Sequence, residues 1–289
     1  MTTLSIIIVT YNPGAILLDC LWSLPAGVTD LTYEVIVVDN ASTDGLVQQA
    51  QVAFPHHRYI LNTDNRGFAG GNNQGLAQAT GEYLLLLNPD VIVEPGSLKA
   101  MVDFLEDHPR AGIVGPRTLN RNGDLAHTAH GLYTARSVLR EYLGLDRLFP
   151  LTDSPSPTDR TPVRVAWVQA HCLLLRRQVY EQVGGLDEAF FLFCEDPDFC
   201  DRAAGAGWQT WYLPNEIVRH LESSTVSRYP ERRIRSYHLS PLHYFRKRGQ
   251  HGPVLLLKLG FTLELIIKAL AKPARLSFHL QLLREIWRN

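Results

Sequence analysis

Residues 4–14 read LSIIIVTYNPG and residues 33–45 read YEVIVVDNASTDG. Each opens with a short run of apolar, mostly β-branched residues and stops abruptly at a polar cluster, Thr10-Tyr11-Asn12-Pro13 in the first and Asp39-Asn40-Ala41-Ser42-Thr43-Asp44-Gly45 in the second. A strand that is apolar on both faces has to be covered on both faces, the condition met by parallel sheets in α/β proteins. Further runs follow at Arg58–Leu61 and Tyr83–Leu87, with helical candidates between the runs at Ala15–Leu24, Thr43–Ala53, Gly70–Ala79 and Gly96–Asp107. The predicted fold is therefore α/β, a mostly parallel sheet flanked by helices. Ligands of such sheets gather at the carboxyl ends of the strands. The polar ends at 10–13, 39–45, 62–65 and 88–90 thus define one candidate rim.

The 289 residues, 45% apolar and 20% charged, are enough for a large core and exclude a disordered chain. A net charge of −1 conceals a division, because residues 1–227 hold 15 Lys and Arg against 26 Asp and Glu while residues 228–289 hold 13 against 3. Four cysteines without a CxxC pair (Cys20, Cys172, Cys194, Cys200) make neither a disulfide framework nor a structural zinc site and predict a reducing compartment. The opening residues lack the basic start and cleavage site of a signal peptide, and no stretch has the roughly 18 to 20 uninterrupted apolar residues of a membrane span. The expected location is cytoplasmic.

Beyond the first half, residues 121–162 are irregular and contain SPSP at 154–157, which predicts a surface loop or insertion. Strand-like stretches return at Val163–Val168, Cys172–Leu175 and Trp208–Tyr212. Between the last two lie an aromatic and acidic loop, FFLFCEDPD at 190–198, and a predicted helix over Asp198–Gly205.

Several residues on this frame carry candidate chemistry. Asp39 ends a buried strand, where a carboxylate is costly unless used; it is placed either to accept the imide N–H of a pyrimidine or to cap the next helix. The cluster Gly67-Phe68-Ala69-Gly70-Gly71, followed by Asn72 and Asn73, is either a close-approach loop for a phosphate or sugar at a helix N-terminus or a turn that starts the helix. Asp90, after Asn88-Pro89, suits a hard divalent ion shared with substrate phosphates, although an Asn-Pro-Asp triplet is also an ordinary turn. Glu195 and Asp196 sit among aromatics, where desolvation raises a carboxylate toward the range of a general base. Asp198 is explained by its place in the first turn of a helix. His220 is a candidate metal or phosphate contact, against the plainer alternative of a structural histidine. His171 with Cys194 and Cys200 fits no zinc spacing, and both thiols read as packing residues.

Taken in order, SIIIVTYN, EVIVVDNASTDG, NRGFAGGNNQGL, GEYLLLLNPDV and GGLDEAFFLFCEDPDFCDRAAGAGW resemble a family 2 glycosyltransferase of the GT-A fold, in its bacterial rhamnosyltransferase-like branch. The resemblance covers about residues 4–225 and implies a GT-A catalytic domain over 1–225, with a nucleotide-binding half at about 1–118 and an acceptor half at about 163–225. It implies inverting transfer of a sugar, rhamnose from dTDP-rhamnose being one candidate, from a dTDP- or UDP-linked donor to a hydroxyl of a glycan or polyprenyl-linked glycan, assisted by Mg²⁺ or Mn²⁺. By resemblance, Thr10, Tyr11, Asn12, Asp39, Asn40, Gly67, Asn72 and Asn88 line the nucleotide site. Asp90 and His220 contact the metal and diphosphate, Asp196 is the catalytic base, and Trp167, His171, Asp187, Glu188 and Glu195 shape the donor-sugar and acceptor side. Two departures stand out. Asn88 replaces the first acid of the family's Asp-x-Asp motif, and Ala170-His171 stands where the branch carries Gly-Ala. A nucleotidyltransferase would need a basic glycine-rich phosphate loop after the first strand, which the chain lacks. The alternative from another class is a catalytically silent sugar-nucleotide or glycan-binding module.

Residues 226–289 are predicted to form a basic, amphipathic helical extension. At about 100° per residue, Lys258, Glu264, Lys268 and Lys272 share an arc of roughly 120° with an apolar remainder. Such a helix suits peripheral contact with the inner face of a plasma membrane. Its alternative is packing on the catalytic body or on a second subunit in an oligomer. The cations adjoin a broad apolar face and no nucleic-acid motif is present, so no nucleic-acid partner is expected.

Overall fold

The computed structural model describes residues 2–143, 155, 159–221, 230–271 and 275–288. The first half runs β1 (Leu4–Thr10), α1 (Ile16–Val28), β2 (Tyr33–Asp39), α2 (Leu46–Ala53), β3 (Arg58–Leu61), α3 (Gly67–Gln78), β4 (Tyr83–Leu87), β5 (Val91–Val93), α4 (Ser97–Asp107) and β6 (Ala111–Leu119). The boundaries of β1 to β4 coincide with the apolar runs in the sequence. After β6 come β7 (Leu125–Ala126), β8 (Ala129–His130), α5 (Ala135–Tyr142), β9 (Val163–Val165), β10 (Trp167–Val168), β11 (Cys172–Arg176), α6 (Arg177–Val183), α7 (Glu195–Gly205) and β12 (Gln209–His220). Three helices close the chain: α8 (Pro230–Lys247), α9 (His251–Ala271) and α10 (Leu276–Arg288).

The main sheet has the order β3-β2-β1-β4-β11-β6-β12-β5. Strands β3, β2, β1 and β4 are parallel, with Thr10 opposite Asp39 and Asp39 opposite Leu61, so the polar strand ends stand level at one rim. Strand β11 runs antiparallel between β4 and β6, in the middle of the sheet. The continuous apolar runs are explained by two cores. Ile6 and Ile8 of β1 face one core with α1 and α4, whereas Ile7 faces the other with α3 and α7. On that second side, Gly71 and Gly75, one helical turn apart, hold α3 against Val9 and Ile7, where an added Cβ would collide.

Several expectations are corrected. Residues 121–143 are not a bare loop: they hold two short strands and α5, whose N-cap Thr134 forms a capping box with Ser137. The 154–157 tract lies outside the described residues apart from Pro155. Helix α7 starts at Glu195, three residues before the predicted Asp198. The stretch predicted at 208–212 is part of one longer strand, β12, which runs on to His220 and is irregular between Leu213 and Ile217.

The tail is helical, as expected, and its boundary with the body at 222–229 lies outside the described residues. Helices α8 to α10 build a third core with α5 and the acidic loop, in which Phe190 and Cys194 meet Leu242, Phe245, Leu257, Phe261 and Leu282. The side of α9 bearing Glu264 and Lys268 also bears Val254, Leu257, Phe261 and Leu265 and packs inward. Glu264 is buried, bonded to His238 Nε2 at 3.0 Å and to Lys268 Nζ. The opposite face is apolar and solvent-exposed, with Leu255, Leu256, Leu259, Leu263, Ile267 and Leu270 each about half exposed or more. Lys272 lies outside the described residues. Among the described residues no helix is long and apolar enough to cross a membrane.

Candidate active site

At the rim, β1 and β2 end side by side and their loops interlock. Asn12, at φ 48°, donates its backbone N–H to Ser42 Oγ (2.8 Å) and accepts from Thr43 N at Oδ1 (2.7 Å). Asp39 is buried and one carboxylate oxygen accepts the Ser42 N–H at 3.0 Å, which ties it into its own turn and not to a helix end. Thr10 beside it is buried with Oγ1 unpartnered, and Tyr11 is half-buried. Asn40 is buried, donates to the Gly67 carbonyl (2.9 Å) and accepts from Asn62 (3.0 Å), so the second strand end holds the glycine loop. What approaches Gly67 closely is protein: at φ 75°, its missing Cβ would lie 2.6 Å from the Phe191 carbonyl oxygen. Asn72 is buried and its side-chain amide donates back to Phe68 O within α3 (2.9 Å).

Asp90 and His220 do come together. β12 pairs antiparallel with β5, His220 lies opposite Val91, and His220 Nε2 is 3.1 Å from Asp90 Oδ1. His171 lies flat on His220, ring centroids 4.9 Å apart and planes 8° from parallel. Its Nε2 bonds Thr118 Oγ1 (2.7 Å), its Nδ1 is buried without a partner, and burial, reinforced by His220, pushes its pKa down to about 3. His171 is therefore neutral. Asn88 is half-buried, and its backbone N–H donates to the His171 carbonyl (2.8 Å).

The acidic loop enters from the other side. Phe193 and Cys194 both adopt left-handed backbone, φ 69° and 70°, a conformation that costs non-glycine residues free energy and is held here by its surroundings. Tyr133 Oη lies 3.1 Å from Cys194 Sγ, and Ser240 of α8 donates to Leu192 O at 2.8 Å. This turn delivers Glu195 and Asp196 at the N-terminus of α7. Burial pushes Asp196 up to about 7, against the pull of backbone N–H groups of Asp196 itself and of Ala170. Glu195 is buried with Oε2 unpartnered, and burial together with the Asp196 charge drives it well above the carboxylate range. Asp196 thus accepts from the N–H of Ala170, the residue before His171, whose ring stacks on the Asp90-bound imidazole. Trp167, expected on the sugar side, stacks on His130 at 4.1 Å with its indole nitrogen buried and unpartnered.

Two supports were not legible in the sequence. Asn73 clasps the Asp187–Glu188 loop, bonding Leu186 N and O (both 2.8 Å) and Glu188 (2.9 Å). Asp198, read as a helix-start acid, is fully buried and paired with Arg202 (2.9 Å), with Lys247 (3.0 Å) at the end of α8 and with Arg248 (3.1 Å) just after it. Lys247 also bridges to Asp187 at 2.7 Å; burial pushes that carboxyl up, but hydrogen bonds from Lys247 and Ala189 outweigh it and leave it lowered. The only sequence signal for this clamp is the concentration of cations after residue 228.

The thiols are buried and free, and burial raises Cys200 to about 12, as expected of packing residues. Among the described residues no cluster of three or more His, Cys, Asp or Glu is set to hold a metal. One carboxylate with one imidazole, Asp90 and His220, fits a hard divalent ion that takes its remaining ligands from diphosphate oxygens and water.

Comparison with known proteins agrees with this geometry. Residues 5–184 match the model of glycosyl transferase family 2. The chain is 30% identical over 270 residues, 85% of its own length and 84% of the relative's, to the N-acetylglucosaminyl-diphospho-decaprenol L-rhamnosyltransferase of Mycobacterium tuberculosis. It is 28% identical over 201 residues, 64% of the chain and 71% of the relative, to rhamnosyltransferase WbbL of Escherichia coli. In fold it resembles S. aureus TarS 1–349 in complex with UDP (TM-score 0.56, 17% identity, 90% of this chain and 70% of that one). It also resembles GalNAc-T7 with UDP, GalNAc and Mn²⁺ (TM-score 0.57, 16% identity, 76% and 43%). The chain belongs to the family 2 glycosyltransferases, with the GT-A fold, in their rhamnosyltransferase-like branch.

Proposed function

We propose that this glycosyltransferase is inverting and moves rhamnose from dTDP-rhamnose to a hydroxyl of a polyprenyl-linked glycan at the inner face of the plasma membrane. The rhamnosyl part is supported by the rhamnosyltransferase relatives at 30% and 28% identity, and the lipid-linked acceptor by the first of them, a decaprenol-linked rhamnosyltransferase. The observation that supports the mechanism is the chain of neighbours from Asp196 through the Ala170 N–H and the adjoining His171 to His220 and Asp90, which we read as a proton acceptor and a diphosphate-side pair.

In this mechanism Asp39 receives the pyrimidine and the interlocked 10–12 and 39–43 loops hold the nucleoside. Asp90 and His220 would hold a divalent ion, which would supply positive charge opposite the departing diphosphate. Asp196 accepts the proton of the acceptor hydroxyl as its oxygen bonds the anomeric carbon and the bond to the diphosphate breaks on the opposite face. A carboxyl raised to about 7 is well matched to that task at neutral pH. Glu195, held protonated by burial, keeps a second negative charge away from the base.

A panel of dTDP- and UDP-sugars, scored for nucleoside diphosphate release with and without Mn²⁺ and a polyprenyl-diphosphate N-acetylglucosamine acceptor, tests this proposal. Preferential turnover of dTDP-rhamnose, dependent on acceptor and ion, is expected. Binding of a nucleotide sugar with no turnover under any condition would overturn it in favour of a silent module.

A further inference from the structure

Helix α9 is apolar on two opposite sides. One side, with Val254, Leu257, Phe261 and Leu265, is consumed by the third core. The other runs from Leu255 to Leu270, and at about 100° per residue its exposed Leu and Ile positions fall within an arc of roughly 120° that no charged residue interrupts. An uncovered stripe four turns long on a helix with a filled inner face is beyond what scattered surface leucines explain.

Helix α10 extends it. Leu276, Leu280 and Trp287 are each about half exposed and lie on one side of that helix. The Trp287 indole N–H donates to Thr262 of α9 (3.0 Å), and Lys258 Nζ sits 5.4 Å from its ring centroid. An indole bonded at its polar edge with its apolar face open is the arrangement favoured at a boundary between water and hydrocarbon.

The charges complete the pattern. Arg275, Arg284 and Arg288, on and next to α10, are exposed, and Lys258 of α9 is half-buried. Both carboxylates of these helices are engaged inside, Glu264 by His238 and Lys268 and Glu285 by Arg235. The outward side therefore offers apolar area ringed by cations without free carboxylates, complementary to anionic lipid.

We infer that the outward faces of α9 and α10 form one docking surface for an anionic lipid bilayer, on which α9 lies parallel to the membrane plane. This inference rests on the membrane-side placement proposed above but not on the donor or the chemistry.

The test is flotation of the full chain with phosphatidylcholine vesicles, with and without phosphatidylglycerol, at low and high salt, for the native sequence and for L259E/L263E. Both substituted residues are half exposed, so folding is preserved. Native protein is expected to float with the anionic vesicles and to lose binding at high salt. The double variant is expected to bind at least about tenfold less, with transfer to a soluble acceptor analogue unchanged. Absence of flotation, or equal flotation of the variant, would overturn the inference. So would a dimer of the native chain that L259E/L263E converts to monomer, because a second copy would then occupy the stripe. Loss of transfer with vesicle binding intact would instead count against the catalytic proposal alone.

Discussion

Asp196→Asn is expected to exchange activity for stability, and the size of both effects follows from the environment of the carboxyl. In the fold the group is displaced from an ordinary value of 3.8 to about 7, chiefly by burial. Between those two values the folded state holds a proton that the unfolded state has lost, so stability is full below about pH 4 and falls as pH rises to 7. Three pKa units at roughly 1.36 kcal/mol each set an upper bound near 4 kcal/mol, and the partial exposure of the side chain brings this to about 2 to 4 kcal/mol. Asn carries no proton to lose and removes the charge facing Glu195. The variant should therefore gain on the native protein by about that amount between pH 4 and pH 8, as read by urea unfolding. Transfer should fall by roughly a hundredfold to ten-thousandfold, and native kcat/KM should rise about tenfold per pH unit below 7 before levelling. A stability difference that does not change with pH, or more than a tenth of native transfer at pH 8, would refute the assignment of Asp196 as a buried base.

Other expectations are simpler. Gly67→Ala forces a side chain into left-handed backbone and into the Phe191 carbonyl, and should lower stability by about 2 to 4 kcal/mol in urea titrations. Replacing Lys247 and Arg248 together by Met leaves buried Asp198 with Arg202 alone; a loss of about 3 kcal/mol is expected, largely recovered by adding Asp198→Asn, as a thermal melt would show. His171→Ala frees the ring of His220 and should raise the Mn²⁺ concentration for half-maximal transfer by roughly tenfold while nucleotide affinity in the absence of metal stays constant.

The legible part of the molecule is the part written in local pattern. Strands β1 to β4 carry their ends in the sequence because each apolar run stops at a polar residue that the rim then uses. Asp90 and His220 were identifiable one by one, but their contact depends on β5 and β12 pairing across 130 residues, which no local spacing records. The start of α7 was placed late because its first turn begins after two left-handed residues, Phe193 and Cys194, that no glycine announces. Asp198 was assigned to a helix start because its partners, Lys247 and Arg248, lie some fifty positions away. In α9, the charged arc does not say which side packs inward, because the partner that buries Glu264, His238, stands on another helix.

The clamp between Asp198 and α8 bears on how such a chain can be altered. The family model ends at residue 184, twelve positions short of Asp196, and the turn that presents this residue is buttressed by Ser240 and by the Lys247 and Arg248 pairs. A fragment trimmed at that boundary would keep the interlocked 10–12 and 39–43 loops and lose Asp196 together with its supports. Exchange of tails between relatives should fail at this joint before any difference in sugar preference is felt, so chimeras in this branch need their crossover placed upstream of the acidic loop.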